Sequence, residues 1–472
     1  MSMVTISMRH YDAVVVGSGL AGLTATLSLA QKGMKVALLE KTDKLGGNSI
    51  KASSGINGAQ TRFQEPGDLV SLFAQDTLKS GKGLSNPQLV DVLSENSADA
   101  IHWLSDECGV DLSAVAMLGG HSFARTHRGK GPLPPGFAIV SALIKKIEAA
   151  KNVDVLKLTT LRSFRIHSDL VADGVEVEDS DHKFTLLSKN IVLATGGFSA
   201  DFSSSSLLQR YRPDLVHLPL TNGQQTTGDG QKLAEKQLNA RLIDMDAIQV
   251  HPTGFIQLKD EQTAGSKWKF LCGELIRGIG GVLLSPNTGA RFVNELTTRD
   301  NVTQGVFESC QSDSNTAFCV VAVSEEDYLK AKPHIDFYIS QSLMFKGNAE
   351  DVASRAQQIS SKPIDPEKLT NGLKEYNLAI GNDKLGRTNF GNPFGKDFFY
   401  GFVTPVLHFT MGGVAINDHA QVITDSGEPM QNVYAIGEVS GGVHGANRLG
   451  GSSLLECVVF GRRVAEKLGP NL

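Results

Sequence analysis

The chain has 472 residues, 41% hydrophobic and 20% charged, which is enough for two or three globular domains. Its net charge of −5 gives no general basic field, so neither nucleic acid nor an anionic membrane is an expected partner. The five cysteines are scattered without C-x-x-C spacing, which argues against a disulfide framework, and no metal site is predicted. Residues 1–10 have no apolar signal-peptide core, and no apolar run reaches about 18 residues, so we expect a soluble, cytoplasmic protein.

A dinucleotide-binding unit near the N-terminus is the strongest motif. Ala13 to Val16 form an apolar run typical of a buried parallel strand, and the glycine-rich sequence GSGLAG follows at once. A helix ending near Gly33 and a second strand ending at Glu40 complete the expected βαβ context. The glycines let backbone N–H groups approach a pyrophosphate, and the acid can accept from a ribose hydroxyl. The unit predicts FAD or NAD binding by Gly17, Gly19, Leu20, Ala21, Gly22, Glu40 and Lys41.

Three later segments are predicted to contact the same dinucleotide. The first is a polar Gly/Ser-rich stretch, which could also be a plain surface loop; its candidates are Gly46, Gly47, Asn48, Ser49, Ser54, Gly55, Ile56, Asn57 and Gly58. The second joins a strand end to a helix start through Ala194, Thr195, Gly196, Gly197, Thr227, Gly228 and Asp229. The third comprises Gly437, Glu438, Arg448, Gly451, Ser452, Ser453 and Leu454 at the start of the final helix.

That final helix start favours a flavin over a nicotinamide. A reduced flavin carries negative charge at one edge of its ring, and a helix N-terminus stabilises such charge. The chain has no second strand followed by G-x-G-x-x-G that would bind a nicotinamide dinucleotide. We therefore predict one FAD and no NAD(P)H site.

The middle of the chain is predicted to contain helices and an antiparallel meander. An amphipathic helical region begins at the Asn86-Pro87 cap and ends near Gly109, and a second helix runs from Phe137 to Ala150. From Val153 to about Ala194 the hydrophobic period becomes two, which is typical of short antiparallel strands. The loop between the helices contains side chains that are either solvated or part of a site: His121, Arg125, His127 and Arg128.

The predicted fold class is α/β. From about residue 248 to 401 the βαβ pattern is absent, and helix caps are predicted at Asn348 and Asp365. The last segment returns to the first pattern, so we predict a Rossmann-like FAD-binding domain interrupted by an inserted α+β capping domain. The predicted boundaries are 1–247 for the first part of the FAD-binding domain, 248–401 for the cap and 402–472 for the last part.

Histidine and arginine concentrate at the edges of the predicted insertion. They occur in QVHPT at its entry, in GELIR and RFVNELTTRD inside it, and in HFTMGG at its exit, and Arg448 lies beside the final helix. Each alone is more often a structural residue. Together they would place several positive or donor groups between two domains, which suits a dicarboxylate.

At these residues the chain closely resembles the flavoprotein fumarate reductases, most closely the soluble ones of the flavocytochrome c and yeast type. The resemblance covers residues 11–468 and is most specific in NELTTRD, HFTMGG and HGANRLGG. It implies that hydride passes from N5 of the reduced flavin to fumarate while Arg299 donates a proton, giving succinate. It implies that Glu274 and Arg277 return the proton to Arg299. The implied substrate contacts are His251, His408, Arg448, Gln249 and Gly273.

Three departures from the family pattern qualify this resemblance. Gly273 stands where many relatives have a hydroxyl residue, so one carboxylate contact is expected to be missing. Asn48 and Ser49 stand where the membrane-complex relatives have a histidine that bonds FAD, so non-covalent FAD is expected. Haem and iron–sulfur motifs are absent, so the expected electron donor is external, either a reduced free flavin or a flavoprotein.

Other functions on the same scaffold stay open. They are the reductase of another 2-enoate, an L-aspartate oxidase-like enzyme, and the flavoprotein subunit of a succinate dehydrogenase-type complex. The missing histidine counts against the subunit. A non-catalytic FAD-binding sensor is disfavoured by the full set of acid, relay and carboxylate-binding residues.

Overall fold

The computed structural model describes residues 8–131, 133–311 and 317–469, so most of the segment considered for a signal peptide lies outside the described residues. The strands are β1 (Met8–Tyr11), β2 (Ala13–Val16), β3 (Val36–Leu39), β4 (Ile56–Asn57), β5 (Ala114–Ala116), β6 (Thr126–Arg128), β7 (Val153–Leu156), β8 (Thr160–Ser168), β9 (Val171–Glu178), β10 (Lys183–Ser188), β11 (Ile191–Leu193), β12 (Leu242–Ile243), β13 (Ile248–Phe255), β14 (Val282–Leu284), β15 (Cys319–Val323), β16 (Phe345–Gly347), β17 (Phe398–Thr410), β18 (Gly413–Ala415), β19 (Gln421–Ile423), β20 (Pro429–Ala435) and β21 (Ser440–Gly441). The α-helices are α1 (Leu20–Gln31), α2 (Val70–Ser80), α3 (Pro87–Glu95), α4 (Ser97–Asp106), α5 (Pro135–Ala149), α6 (Leu207–Tyr211), α7 (Asp229–Leu238), α8 (Glu261–Gly265), α9 (Leu275–Gly278), α10 (Arg299–Ser309), α11 (Glu325–Tyr328), α12 (Lys332–Ser340), α13 (Ala349–Ala356), α14 (Pro366–Ala379) and α15 (Ser452–Leu468).

A mainly parallel sheet organises the first and last parts of the chain. Its strand order is β19-β20-β11-β2-β3-β7, and only the edge strand β19 runs antiparallel to its neighbour. Every residue of β2 and β3 is buried, as expected for strands covered on both faces. The predicted Rossmann-like α/β unit is confirmed. Helix α1 begins at Leu20, so Gly22 lies inside the helix rather than in the loop before it.

The predicted antiparallel meander is confirmed in its middle and wrong at its ends. Strands β8, β9 and β10 pair in antiparallel order, and β1 adds to β10 in parallel. By contrast, β7 and β11 join the parallel sheet beside β3 and β2. A run of three or four apolar residues shows strand character but not which neighbour it will pair with. The strand β1 was not predicted.

The inserted part of the chain forms its own sheet and its own hydrophobic cores. Strands β13, β17, β15 and β14 pair antiparallel in that order, and β16 also pairs with β17. Two clusters of buried side chains lie on this sheet, separate from the core around the parallel sheet. The domain division stays a prediction, since β17 runs without interruption through residue 401.

Helix ends follow the capping signals, with one break that was not predicted. The side chain of Asn86 accepts from Gln88 N, and those of Asn348 and Asp365 cap α13 and α14. The helical region after Asn86 divides into α3 and α4 at Asn96, whose side-chain amide donates to Val92 O at 2.8 Å. An asparagine that bonds its own backbone favours a helix end, which explains the break.

Two further observations concern the whole described chain. All five cysteines are buried free thiols, as their spacing predicts. Within the described ranges, no helix is both long and apolar enough to cross a membrane.

Candidate active site

A cavity of about 560 Å³ lies where four parallel strands end at their carboxyl side. Its walls include the residues at or just after the ends of these strands, namely Val16, Leu39, Ala194 and Ile436. This edge of an open α/β sheet is where ligands bind in such folds. The predicted FAD contacts that line the cavity are Gly17, Gly19, Leu20, Ala21, Glu40, Lys41, Gly47, Asn48, Ser49, Ser54, Gly55, Ala194, Thr195, Gly196, Asp229, Glu438, Arg448, Gly451, Ser453 and Leu454.

The remaining predicted FAD contacts do not line the cavity. They are Gly22, Gly46, Ile56, Asn57, Gly58, Gly197, Thr227, Gly228, Gly437 and Ser452. Asn57 donates from its side-chain amide to Gly450 O at 2.7 Å and Ser452 Oγ at 2.9 Å, which fixes the start of α15. A Cβ at Gly22 would lie 1.8 Å from Gly17 O, so this glycine allows helix and loop to pack closely.

The backbone around the cavity fits a dinucleotide. Gly17 has φ +104°, and a Cβ there would lie 2.3 Å from Ala194 O, so only glycine brings the two strand ends this close. Helices α1 and α15 begin at the cavity without a side-chain cap hydrogen bond, α1 after Gly19 and α15 after Gly451. The first N–H of each helix is engaged within the chain, Leu20 N with Ser49 Oγ at 3.1 Å and Ser452 N with Leu449 O at 3.2 Å. The positive end of each helix dipole still suits a pyrophosphate or an electron-rich ring edge. FAD therefore fits the residues present.

The polar groups predicted to hold the ribose are engaged with the chain itself. Glu40 Oε2 accepts from Ser18 N at 3.2 Å and Ser18 Oγ at 2.6 Å, and its other oxygen accepts from Thr42 N at 2.8 Å. Lys41 Nζ donates to Thr227 Oγ1 at 2.9 Å and Asp229 Oδ2 at 2.7 Å. The Glu40 carboxylate is therefore held in one orientation beside the cavity, and its ribose contact stays a prediction.

Glu438 has a different environment. Its Oε1 accepts from Thr410 N at 2.9 Å, and burial raises the pKa of its carboxyl to about 7. A carboxyl group of this kind can either donate to or accept from a hydroxyl at neutral pH, so it suits a hydroxyl of the predicted FAD.

The predicted acid and relay residues form one buried ion cluster, of which Arg299 lines the cavity. Arg299, which opens α10 and is 5% exposed, donates from Nε to Glu274 Oε2 at 2.8 Å, and its Nη2 is also 2.8 Å from that oxygen. Glu274 Oε1 accepts from Gly119 N at 2.9 Å. Burial opposes ionisation of Glu274, but the guanidinium groups of Arg299 and Arg277 lower its pKa to about 2. The Arg299–Glu274 pair is therefore a charged pair at neutral pH.

Arg277 is the third member of this cluster. Its Nη2 is 3.9 Å from Glu274 Oε2, and its Nη1 donates to Glu295 O at 2.6 Å. Its Nε and Nη2 have no hydrogen-bond partner among the described residues, and burial lowers the pKa of this guanidinium. It does not line the cavity.

Gln249 joins the two arginines that face the cavity. Its side-chain oxygen accepts from Arg299 Nη1 at 2.7 Å and from Arg448 Nη2 at 3.0 Å. Arg448 also packs 4.4 Å above the Phe409 ring, and burial together with Arg299 lowers its pKa to about 9. Two cations thus share one neutral acceptor.

The two predicted substrate histidines lie side by side and are neutral. The ring centroids of His251 and His408 are 5.2 Å apart. Burial, reinforced by the nearby Arg299, lowers both pKa values well below the usual range. His408 Nδ1 is hydrogen-bonded to Thr221 Oγ1 at 2.8 Å, while His251 Nε2 is buried with no partner among the described residues. Because His251 Nδ1 accepts from Thr253 N at 3.2 Å, the neutral ring carries its proton on Nε2, which is a free donor next to two arginines.

Several residues of this site were not predicted from the sequence. Gly119 supplies a backbone bond to Glu274, and Thr221 orients His408. The cavity wall also includes Trp268, Lys269, Phe270, His334, Phe337 and Tyr338, all from the inserted part of the chain. Main-chain donors and aromatic wall residues have no spacing signal that would identify them.

The loop side chains that the sequence predicts to be either solvated or part of a site are not solvated. Arg125 and His127 are fully buried, and His121 and Arg128 are partly buried. Arg125 Nη2 donates to Asp68 Oδ1 at 2.7 Å, and its Nη1 donates to Asp76 Oδ2 at 2.5 Å. These side chains hold the segment that carries Gly119.

Comparisons with known proteins agree with this geometry. Residues 12–454 match the family model described as FAD binding domain. The chain is 48% identical over 478 residues to Fumarate reductase 1 of Saccharomyces cerevisiae, covering 98% of this chain and 99% of that protein. It is 38% identical over 470 residues to Fumarate reductase of Schizosaccharomyces pombe, covering 96% and 88%. The open conformation of a flavocytochrome c3 fumarate reductase superposes with a TM-score of 0.77 at 30% identity, covering 98% of this chain and 78% of that one.

Proposed function

Since this chain belongs to the FAD binding domain family and is nearly half identical to a yeast fumarate reductase over its length, we infer that it is an FAD-dependent enzyme that reduces fumarate to succinate. The observation that supports this best is the buried Arg299–Glu274 pair, of which Arg299 lines the cavity, beside two neutral histidines and Arg448. Bound FAD, once reduced, would supply the hydride. The residues of the chain would bind the substrate and supply the proton.

The substrate is positioned by groups that bind carboxylates without titrating. Arg448 would bind one carboxylate of fumarate, and His251 and His408 would donate hydrogen bonds as neutral rings. Pulling electron density towards the carboxylates makes the double bond a better hydride acceptor. Gln249, which bridges Arg299 and Arg448, would set the distance between the acid and the carboxylate-binding arginine.

Arg299 would donate the proton that completes the reduction. A free guanidinium is a very weak acid, so the transfer must accompany the build-up of negative charge on the substrate carbon. The neighbouring Arg277 and Arg448 favour loss of a positive charge from this cluster. Arg299 is also held at three nitrogens, which limits it to one orientation.

Glu274 would return the proton to Arg299. Its pKa of about 2 depends on the charge of Arg299 and Arg277. When Arg299 becomes neutral, that attraction is lost while the cost of burial remains, so the pKa of Glu274 rises. Glu274 would then take up a proton from Arg277, whose Nη2 is 3.9 Å away, and pass it to Arg299. The relay therefore works only after the acid has reacted.

Replacement of Arg299 by lysine tests its proposed role as the proton donor. Lysine keeps the charge but loses the fixed multi-nitrogen geometry, so we expect kcat for fumarate to fall by about 10² to 10⁴ with FAD still bound. Steady-state assays with a reduced dye would measure kcat, and the flavin absorbance would measure the FAD still bound. Arg291→Lys is the matched control, because Arg291 is equally buried but pairs with Glu295 and Asp383 outside the cavity. Wild-type turnover of Arg299→Lys would exclude this role.

The finer features expected from the sequence stay predictions. FAD is proposed to be non-covalent, since Asn48 offers no nucleophile and hydrogen-bonds Thr226 Oγ1 at 2.7 Å; acid precipitation should release all flavin to the supernatant. The proposed electron donor is a reduced free flavin or a flavoprotein, which stopped-flow reduction of the bound FAD would test. Cell fractionation would test the cytoplasmic location.

A further inference from the structure

Two hydroxyl groups occupy the space that the missing side chain of Gly273 leaves open. A Cβ at Gly273 would lie 2.8 Å from Ser53 Oγ and 3.3 Å from Tyr338 Oη. Ser53 belongs to the Gly/Ser-rich segment of the FAD-binding part, and Tyr338 to helix α12 of the inserted part. Both residues line the cavity. The two parts of the chain thus bring a hydroxyl each to one point.

That point lies within the proposed substrate site. Gly273 directly precedes Glu274, and the carbonyl of Cys272 on its other side accepts from Thr253 Oγ1 at 3.1 Å. Thr253 N in turn donates to His251 Nδ1 at 3.2 Å. The Gly273 peptide is therefore fixed between the relay glutamate and His251.

The hydroxyl pair has an unused donor. Tyr338 Oη accepts from Gly273 N at 3.2 Å, and the buried Ser53 Oγ has no partner other than the Tyr338 hydroxyl among the described residues. Each hydroxyl has one proton to donate, and a bond between them would use only one. A buried hydroxyl without an acceptor is unfavourable, so an anionic oxygen in the cavity would accept the remaining hydroxyl proton.

Tyr338 is held rigidly enough to act as a contact. It is 4% exposed, and its ring centroid lies 4.7 Å from that of Phe255. The sheet strand that carries Phe255 also carries His251, so hydroxyl and histidine share one support. Little conformational freedom would be lost when a ligand binds.

From this arrangement we propose that Tyr338 and Ser53 together bind one carboxylate of the substrate, in place of a hydroxyl side chain at position 273. The proposal rests on the fumarate reductase function proposed above. It adds two substrate-binding residues from opposite sides of the cavity. Because one comes from the inserted part, substrate binding and closure of the cavity would be coupled.

The first experiment compares two tyrosines in holoenzyme. We expect Tyr338→Phe to raise KM for fumarate by about tenfold or more, with a smaller change in kcat, because a hydrogen bond to a charged group is lost. The dissociation constant for succinate, measured by calorimetry on oxidised holoenzyme, should rise by a similar factor. Tyr376→Phe is the control, since Tyr376 is also buried and also accepts from a glycine N–H, that of Gly391, outside the cavity. Equal KM values in Tyr338→Phe and Tyr376→Phe would overturn the proposal.

The second experiment restores the hydroxyl from position 273. Ser53→Ala removes the atom closest to the Cβ of a new side chain, so Gly273→Ser should be tolerated in that background and regain part of the lost affinity. Gly273→Ser alone should bind fumarate worse than wild type, because its Cβ would crowd Ser53 Oγ. If the double variant binds no better than Ser53→Ala, the hydroxyl contact does not exist.

A third measurement separates this proposal from the function on which it rests. Monomethyl fumarate lacks one charged carboxylate, so the preference for fumarate over this ester should shrink in Tyr338→Phe. A wild-type enzyme that does not reduce fumarate would instead refute the proposed function. An unchanged preference in the variant, with fumarate still reduced, would refute only the hydroxyl contact.

Discussion

His127 shows how a single buried side chain links stability to pH. Its Nδ1 is 2.8 Å from Arg125 O and its Nε2 is 2.6 Å from Thr61 Oγ1, so the neutral ring is fully satisfied as donor and acceptor. Burial lowers its pKa from 6.5 to about 4. Protonation would cost the folded protein the bond from Thr61, because Nε2 would no longer accept.

Replacement of His127 by glutamine is predicted to flatten the acid side of the stability profile. Below pH 6.5 the unfolded chain binds a proton that the folded chain does not, so stability falls as the pH drops towards about 4. One such group contributes about 3 kcal/mol over that interval. Thermal unfolding from pH 8 to 4.5 should show a shallower slope for His127→Gln, whereas substitution of the exposed His182 should leave the slope unchanged.

At the scale of one element, the segment from residue 118 to 128 supports two parts of the site at once. Gly119 N donates to Glu274, and His121 Nε2 donates to Gly450 O at 3.0 Å, just before α15. Arg125 Nη1 donates to His121 Nδ1 at 3.2 Å, which fixes the tautomer that makes this possible. One buried arginine thus orients both the relay carboxylate and the predicted flavin helix.

Loss of Arg125 should therefore weaken both stability and turnover. Arg125→Met would leave the carboxylates of Asp68 and Asp76 without their cation, which typically costs about 3 to 5 kcal/mol. We expect a lower unfolding temperature and a lower kcat at full FAD occupancy. Adding Asp68→Asn should recover part of the stability, and Arg165→Met, at a half-exposed ion pair, should have little effect. Wild-type kcat in Arg125→Met would show that this segment does not position the relay.

The segment from residue 118 to 128 also shows what the sequence alone does not predict. The spacing of charges in a loop does not reveal that Asp68 and Asp76, some fifty residues earlier, neutralise Arg125. By contrast, the structure of Ala13 to Val16 and of GSGLAG can be predicted from the sequence, since the strand, turn and helix start depend on neighbouring residues only. Strand β7 lies between these cases: its apolar run indicated a strand, but its parallel partner β3 depends on the whole sheet.

At the scale of the whole molecule, the cavity is built from segments far apart in the chain. Its walls come from the N-terminal loop, the middle of the chain and the start of the final helix, represented by Gly17, Thr195 and Gly451. The sequence could assign each segment to the same ligand because each has its own glycine signal. It could not predict the wall formed by α12, whose side chains have no such signal.

Removal of FAD should therefore destabilise the entire fold rather than one domain. A ligand that binds only the folded state stabilises it by about 2.7 kcal/mol at a concentration 100 times Kd. We expect flavin-free protein to unfold at a temperature several degrees lower, and added FAD to restore it in a concentration-dependent way. Riboflavin at equal concentration should restore less, because it lacks the adenosine and pyrophosphate half that is predicted to bind at the start of α1. An unfolding temperature that does not respond to FAD would contradict this placement.

The shared oxygen of Gln249 has a consequence for what the cavity admits. Before any ligand arrives, Arg299 is already paired with the Glu274 carboxylate, whereas Arg448 donates to the Leu449 carbonyl and to the amide oxygen that it shares with Arg299, both partners weaker than an anion. Water or a neutral ester would be no stronger an acceptor than the Gln249 amide, whereas a molecule with two carboxylates would be. Selection would thus begin with charge, as a competition for Arg448, before shape or reactivity is sampled.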